Sequence, residues 1–406
     1  MIKHFLNYFS FSILNAALTF LISIYLARNL TIEEFGMVGI FFAISFFLKP
    51  LAALNSLRLV SIEKNNLSNS EFQKFSNYFI SLSLLWCFIL VLLSLLIAPY
   101  FEDYIFLIYY LPLYIFIVML GEFHSLVLIQ TKDSKKHGVY IFFTRLFTLL
   151  FIYIYMEFFT YSWIVYLVAL FIAEIIVIGL RVKYGFHSLR NYKFSINFFE
   201  YKKIITYGLP LIVLLIGSFF LNQSDKFIVL NFFGLKEVAF YTIGYQVGSI
   251  LNTVNQSLTN TLVPIIYKCL KKTPAKALPL INRYLLLYTL FIIVTLIILF
   301  FSAKNLIPFL YGVEYTDSIY VVVFISIAFG LNGIYILTNF IMDYYKYNIL
   351  KVKLIYLSAC VNVIISIIFI DSFGILAPAI GTVMAYLILS ILSQYYGRII
   401  LNGQCK

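Results

Sequence analysis

Asn222-Gln223-Ser224-Asp225-Lys226 decides how this chain must be read. Apolar residues flank it on both sides, from Gly208 to Leu221 before it and from Phe227 to Phe233 after it. A second apolar run begins at Val238 and carries Gln246, Asn252, Asn255, Gln256, Thr259 and Asn260. From Asn252 onward these polar residues recur three, four, seven and eight positions along, which is one face of a helix. Polar groups in hydrocarbon cost free energy unless they meet partners or water. Such a face either lines a wet cavity or forms a hydrogen-bonded seam between helices.

The composition extends this reading to the whole chain. Of 406 residues, 63% are hydrophobic and only 11% charged, against about 25% charged in soluble domains. Apolar stretches long enough to span a bilayer recur from end to end. About twelve spans are expected, at roughly 5–27, 36–56, 76–98, 104–129, 139–156, 160–181, 204–229, 237–266, 281–301, 317–342, 351–370 and 374–397. The first follows Met1-Ile2-Lys3-His4 and has no small-residue cleavage site, so it reads as a retained span. The fold class expected is all-α: a polytopic membrane protein with two parallel-repeat six-helix bundles around a central cavity.

The net charge of +12 is a matter of topology. If the N-terminus is cytosolic, most of the basic residues fall in cytosolic segments, including Lys132, Lys135, Lys136, Arg181, Lys183, Arg190, Lys268, Lys271 and Lys272. Arg28, Lys226, Lys236 and Lys304 fall on the outer side, where acids such as Glu33, Glu34, Glu102, Asp103 and Glu314 collect. The positive-inside rule then puts both termini in the cytosol. Nucleic-acid binding is not needed to explain the charge. The longest cytosolic connector, roughly 182–203, divides the chain into domains 1–203 and 204–406. A weak repeat agrees: Leu30-Thr31-Ile32-Glu33-Glu34-Phe35-Gly36 and Phe233-Gly234-Leu235-Lys236-Glu237-Val238-Ala239 open corresponding spans half a chain apart.

Enzyme chemistry has little to stand on. No Gly-x-x-x-x-Gly-Lys-Ser/Thr loop, His-Glu-x-x-His or Cys-x-x-Cys occurs, and Gly36-x-x-Gly39 is a pair of span glycines. Cys87, Cys269, Cys360 and Cys405 are scattered, the second and fourth in expected cytosolic loops, so free thiols are expected and no cofactor or metal site. No expected outer loop is long enough to carry a polymerase or ligase centre.

The remaining chemistry is charge placed within spans. Lys49 lies in Phe46-Phe47-Leu48-Lys49-Pro50-Leu51 and Arg145 in Phe142-Phe143-Thr144-Arg145-Leu146. A cation at mid-span costs about 2.5–3.5 kcal/mol on the insertion scale. Each must therefore face water, pair, or snorkel to the cytosolic interface. Glu122 and Glu174 are candidates to pair with them, or to form a proton or sodium-ion site. Asp225 and Lys226 are adjacent, so on a helix they point about 100° apart and each needs its own partner.

Two motifs carry a family resemblance. Leu26 to Gly36 is similar to a first outer turn, and Tyr207-Gly208-Leu209-Pro210 is followed by Ser224-Asp225-Lys226-Phe227-Ile228-Val229, Gly234-Leu235 and Tyr241. Together they resemble the polysaccharide-exporter branch of the multidrug/oligosaccharidyl-lipid/polysaccharide (MOP) exporter superfamily, although Ala239 stands where that family commonly has glycine. The resemblance implies an O-antigen or capsule repeat-unit flippase, of the kind called Wzx-type, in the bacterial inner membrane. Such a protein moves an undecaprenyl-pyrophosphate-linked oligosaccharide from the cytoplasmic to the periplasmic leaflet by alternating access, alongside a polysaccharide polymerase and a chain-length regulator. By that analogy Lys49, Arg145 and Lys226 hold pyrophosphate or an acidic sugar. Asn222, Asn252, Asn255, Gln256 and Asn260 contribute amides to the substrate. Asp225, Glu122 and Glu174 are the candidates for coupling to H+ or Na+. The alternatives are an ion-coupled small-molecule exporter of the same superfamily and, less favoured, a membrane polymerase or ligase.

Overall fold

The computed structural model describes residues 2–404, with side chains described except at 2–9, 12, 257, 260, 275 and 404. The order of helices opens with α1 (Ile2–Asn29), α2 (Ile32–Leu51), α3 (Leu57–Asn66), α4 (Asn69–Ile97) and α5 (Ile105–Gln130). It continues with α6 (Ser134–Phe158), α7 (Trp163–Tyr184), the single turn α8 (His187–Arg190), α9 (Phe198–Asn222) and α10 (Ser224–Phe233). The rest are α11 (Leu235–Gly248), α12 (Ile250–Lys272), α13 (Ala277–Leu310), α14 (Ser318–Tyr344), α15 (Asn348–Ile368), α16 (Ile370–Phe373) and α17 (Leu376–Gln404). Among the described residues there is no strand.

Ten of these helices are long and apolar enough to cross a membrane, which makes the chain a multi-pass membrane protein. The sequence leads one to expect about twelve, and two shortfalls have local causes. The described apolar part of α1 is only Ile13–Asn29. The expected span 237–266 is divided into α11 and α12 at Ser249, past which Asn252 N donates to Ser249 O at 2.8 Å, three residues back and not four. Two further differences concern the cytosolic ends. Residues 57–66, expected as loop, form α3, whose Leu59 and Val60 are buried. Cys269, expected in a loop, lies near the end of α12.

Local chemistry sets the helix starts. Thr31 and Glu34 form a reciprocal capping box on α2, and Ser68 and Glu71 form another on α4. Each satisfies two backbone donors that the first helical turn leaves unpaired. Pro50 closes α2: it removes a donor, and the chain leaves through a tight turn.

The chain divides into two compact units, Met1–Glu34 with Phe41–Leu215, and Phe35–Ile40 with Ile216–Lys406. In the first unit α6 packs on α1 and α7, and α5 on α3, α4 and α7. Its aromatic core is built on Phe41, fully buried among Tyr110 (6.0 Å), Tyr114 (5.4 Å) and Tyr166 (6.3 Å). The connector after α7 is laid along α4. Gln73 Nε2 donates to Ser188 O (3.1 Å) and Asn191 O (3.3 Å), Ser76 donates to Ser188 Oγ (3.2 Å), and Ser195 N donates to Ser81 Oγ (3.1 Å). Lys203 closes the strap with an ion pair to buried Glu63 of α3 at 3.0 Å.

The second unit is centred on α14, which packs against α11, α12, α13 and α17, while α17 also packs on α15. The six residues Phe35–Ile40 of α2 belong to this unit. A Cβ at Gly36 would stand 2.1 Å from the Leu235 carbonyl oxygen, so only glycine permits this approach. The two segments that read as a weak repeat therefore touch each other.

Candidate functional site

The first unit gathers its intramembrane charges on four helices. Lys49 sits in the last turn of α2, where a cation is favoured by the helix dipole, with Nζ 5.4 Å from the centroid of Tyr114. Arg145 lies near the middle of α6, Glu122 on α5 and Glu174 on α7. Lys49 feels the charges of Arg145, Glu122 and Glu174, and Glu174 those of Arg145 and Arg181, so the five groups form one electrostatic cluster. No ion pair within 4 Å joins any two of them among the described residues. Glu122 is exposed, while Lys49, Arg145 and Glu174 are half-buried. Such a cluster costs free energy unless water or a ligand completes it.

Arg181 is the member that the sequence reading did not single out. Counted there only among the cytosolic charges, it is 3% exposed. Its Nη1 donates to Gly121 O at 3.0 Å and to Ser125 Oγ at 3.1 Å, and its guanidinium lies 4.8 Å from the Tyr140 ring centre. The signal was available: Glu174 and Arg181 are seven residues apart in one helix, hence on one face.

The second unit treats its charge differently. The span expected at 204–229 does not run through the Asn222–Lys226 stretch. α9 ends at Asn222, Gln223 leaves helical geometry at φ −131°, and α10 starts at Ser224. Asp225 thus stands in the first turn of a new helix, where the exposed N–H groups favour an anion. Its carboxylate is completely buried and accepts from Tyr241 Oη (2.5 Å), Thr382 Oγ1 (2.5 Å) and Asn362 Nδ2 (2.9 Å). Asn362 Nδ2 also lies 3.2 Å from Leu221 O, a carbonyl released by the helix break. Three helices, α11, α15 and α17, are thereby tied to the break between α9 and α10. Lys226 is 4% exposed, with Nζ 5.1 Å from the centroid of Tyr245 and in the field of Asp225.

The predicted amide face is mixed. Asn222 donates to Ser218 O (2.8 Å) and accepts from Tyr386 Oη (2.6 Å). Asn255 is buried, donates to Phe329 O (2.9 Å) and accepts from Tyr288 Oη (2.5 Å). These two act as seams within the unit. Asn252 is half-buried and Gln256 exposed, and no side-chain hydrogen bond is made by either among the described residues. The side chain of Asn260 lies outside the described residues.

Against this geometry, comparisons with known proteins become informative. The polysaccharide biosynthesis protein family matches residues 25–320, from the end of α1 into α14. The chain belongs to that family. An uncharacterized membrane protein of Methanocaldococcus jannaschii is 26% identical over 99% of this chain and 84% of its own length. A probable low-salt glycan biosynthesis flippase of Haloferax volcanii is 20% identical over 49% of this chain and 43% of its own. Among solved structures, the lipid II flippase MurJ in an inward closed conformation superposes with a TM-score of 0.77 at 15% identity, covering 98% of this chain and 88% of that one. An inward-facing multidrug resistance MATE family transporter of the MOP superfamily gives 0.76 at 15% identity, over 96% and 95%. The family member thus has the fold of MOP-superfamily transporters.

Proposed function

We propose that this chain translocates an undecaprenyl-pyrophosphate-linked oligosaccharide repeat unit from the cytoplasmic to the periplasmic leaflet of a bacterial inner membrane, for O-antigen or capsular polysaccharide assembly. Transport runs by alternating access of domains 1–203 and 204–406, without ATP hydrolysis, with both termini cytoplasmic. A polymerase and a chain-length regulator would take up the product outside. The observation that carries this reading is the pair Lys49 and Arg145, cations held in spans of a polysaccharide biosynthesis protein with no contact counter-ion among the described residues. Two phosphates of a lipid carrier are the groups such cations would neutralise.

Lys226, Asn252, Gln256 and Asn260 are secondary candidates for cargo contact. Asn222 and Asn255 already spend their amides on partners within the second unit. Glu122, Glu174 and Asp225 are the candidates for coupling to H+ or Na+; the Asp225 carboxylate already accepts from Tyr241, Thr382 and Asn362, which favours the other two. The fold is as close to a multidrug transporter as to a lipid-linked substrate flippase, so an ion-coupled small-molecule exporter is the second reading. A deletion strain separates the two. Lipid-linked repeat units should accumulate on the cytosolic leaflet and surface polysaccharide should disappear. Normal surface glycan, with altered sensitivity to exported small molecules, would favour the second reading instead.

A further inference from the structure

Beside the charged cluster of the first unit lies a recess of about 320 Å³. Its polar lining is Asn55, Arg58, Glu122 and Ser125, and its apolar walls are Pro50, Leu57 and Leu126. The size is at the small end of ligand pockets, which run about 300–1,000 Å³. It suits one ring and excludes a whole oligosaccharide.

The recess is built by a backbone that the chain would not adopt unaided. Leu54 and Asn55 both have positive φ, 49° and 56°, in the turn that follows Pro50. Left-handed geometry in a non-glycine residue costs of order 1–3 kcal/mol, and two in succession need outside support. Hydrogen bonds from Asn55 N to Pro50 O (2.7 Å) and from Leu54 N to Leu51 O (2.9 Å) supply part of it. α9 supplies the rest: a Cβ at Gly208 would stand 2.0 Å from the Leu54 carbonyl oxygen, so glycine lets α9 press on the turn. The outcome is an amide side chain delivered to the recess.

The donor set selects among ligands. Arg58 and Glu122 are both exposed and make no ion pair within 4 Å among the described residues. Ser125 Oγ accepts from Arg181, which leaves its own proton free to donate. A carboxylate, an amide, a guanidinium and a hydroxyl around one small space, with aliphatic walls, match the vicinal hydroxyls and apolar face of a sugar. Glu122 repels a phosphate, so the recess is a poor seat for the pyrophosphate itself. Lys49, however, precedes Pro50 in sequence and lies within the field of Glu122. A pyrophosphate held by Lys49 and Arg145 would carry its attached sugar next to the recess.

We propose that this recess binds the sugar directly attached to the pyrophosphate, and that Asn55, Arg58, Glu122 and Ser125 read its hydroxyl or acetamido groups. The inference rests on the flippase reading above and assigns to Glu122 a role in cargo selection in place of ion coupling.

The test uses the full-length protein in detergent and three probes: bare undecaprenyl pyrophosphate, the same lipid bearing one hexose, and the same lipid bearing one N-acetylhexosamine. The readout is the ratio of the dissociation constant for bare lipid to that for sugar-bearing lipid. For the wild-type chain this ratio should be about tenfold for at least one sugar, the equivalent of one or two net hydrogen bonds. Glu122→Gln and Ser125→Ala should each reduce the ratio. Asn55→Gly, which removes the amide yet suits the left-handed turn, should bring it near one. A wild-type ratio of one with the bare lipid bound would overturn the recess and leave the flippase reading intact. Ratios unchanged in all three variants would overturn it equally. Failure of any pyrophosphate lipid to bind would remove both. A Glu122→Gln variant that stops transport of every cargo while keeping the wild-type ratio would return Glu122 to ion coupling and sink the inference.

Discussion

The two units hold buried charge in opposite ways. In the first, Lys49, Arg145, Glu122 and Glu174 lie within one another's fields but make no contact ion pair among the described residues. In the second, Asp225 is sealed by three hydrogen bonds, from Tyr241, Thr382 and Asn362. A saturated carboxylate fixes structure, because removing it takes an acceptor from every donor that pointed at it. An unsaturated cluster is open to completion from outside. The contrast assigns stability to Asp225 and cargo contact to Lys49 and Arg145, and it can be broken by experiment at several points.

The largest effect is expected at Asp225. Asp225→Ala leaves the buried Tyr241 without its acceptor, and leaves Thr382 and Asn362 only the carbonyls of Pro378 and Leu221, and should cost about 3 kcal/mol. Thermal unfolding of the detergent-solubilised chain should show a clear drop in Tm, with a smaller drop for Asp225→Asn. An unchanged Tm in both variants would erase the distinction between the units. Gly208→Val comes next. Its side chain would collide with backbone at Leu54, where no rotamer can yield, so a loss of about 1–3 kcal/mol is expected in the same assay. Transport effects follow. Lys49→Ala and Arg145→Ala should each slow glycan export about tenfold, the value of one charge-assisted contact, while Tm and membrane abundance stay near wild type. Lys49→Arg should retain most of the activity. A reversed pattern, with Tm falling and export holding, would make Lys49 and Arg145 structural and the comparison void. The smallest effect is expected at Asn255. Asn255→Ala removes one acceptor from Tyr288 and one donor to Phe329 O, for about 1–2 kcal/mol of stability.

The helical membrane class was legible from composition and apolar run length, because both act over the whole chain. The Asn222–Lys226 stretch was legible as an interruption but not as a helix break. Its partners Asn362 and Thr382 are 137 and 157 residues away from Asp225, and sequence pattern carries no information at that range. The same limit explains why Asn255, placed on a polar face by spacing, was ambiguous between cavity and seam until Tyr288 and Phe329 were found against it. Arg181 was passed over because the positive-inside rule counts charges near span ends and does not see which of them fold back into the helices. α3 was missed because residues 57–66 are polar overall, and its two buried apolar residues are too few to set a period. The Leu54–Asn55 turn had a weak signature, since asparagine tolerates left-handed geometry but leucine does not and neither neighbour is glycine.

The central claim is that the unpaired cations of the first unit receive the pyrophosphate of the cargo. Its most direct test is the rate at which radiolabelled undecaprenyl-pyrophosphate glycan crosses proteoliposomes containing the wild-type chain or the Lys49→Ala/Arg145→Ala double variant. The account predicts rapid transfer by the wild type and a loss of about tenfold or more in the double variant, with the variant's Tm unchanged. Transfer at the wild-type rate by a well-folded double variant would contradict it.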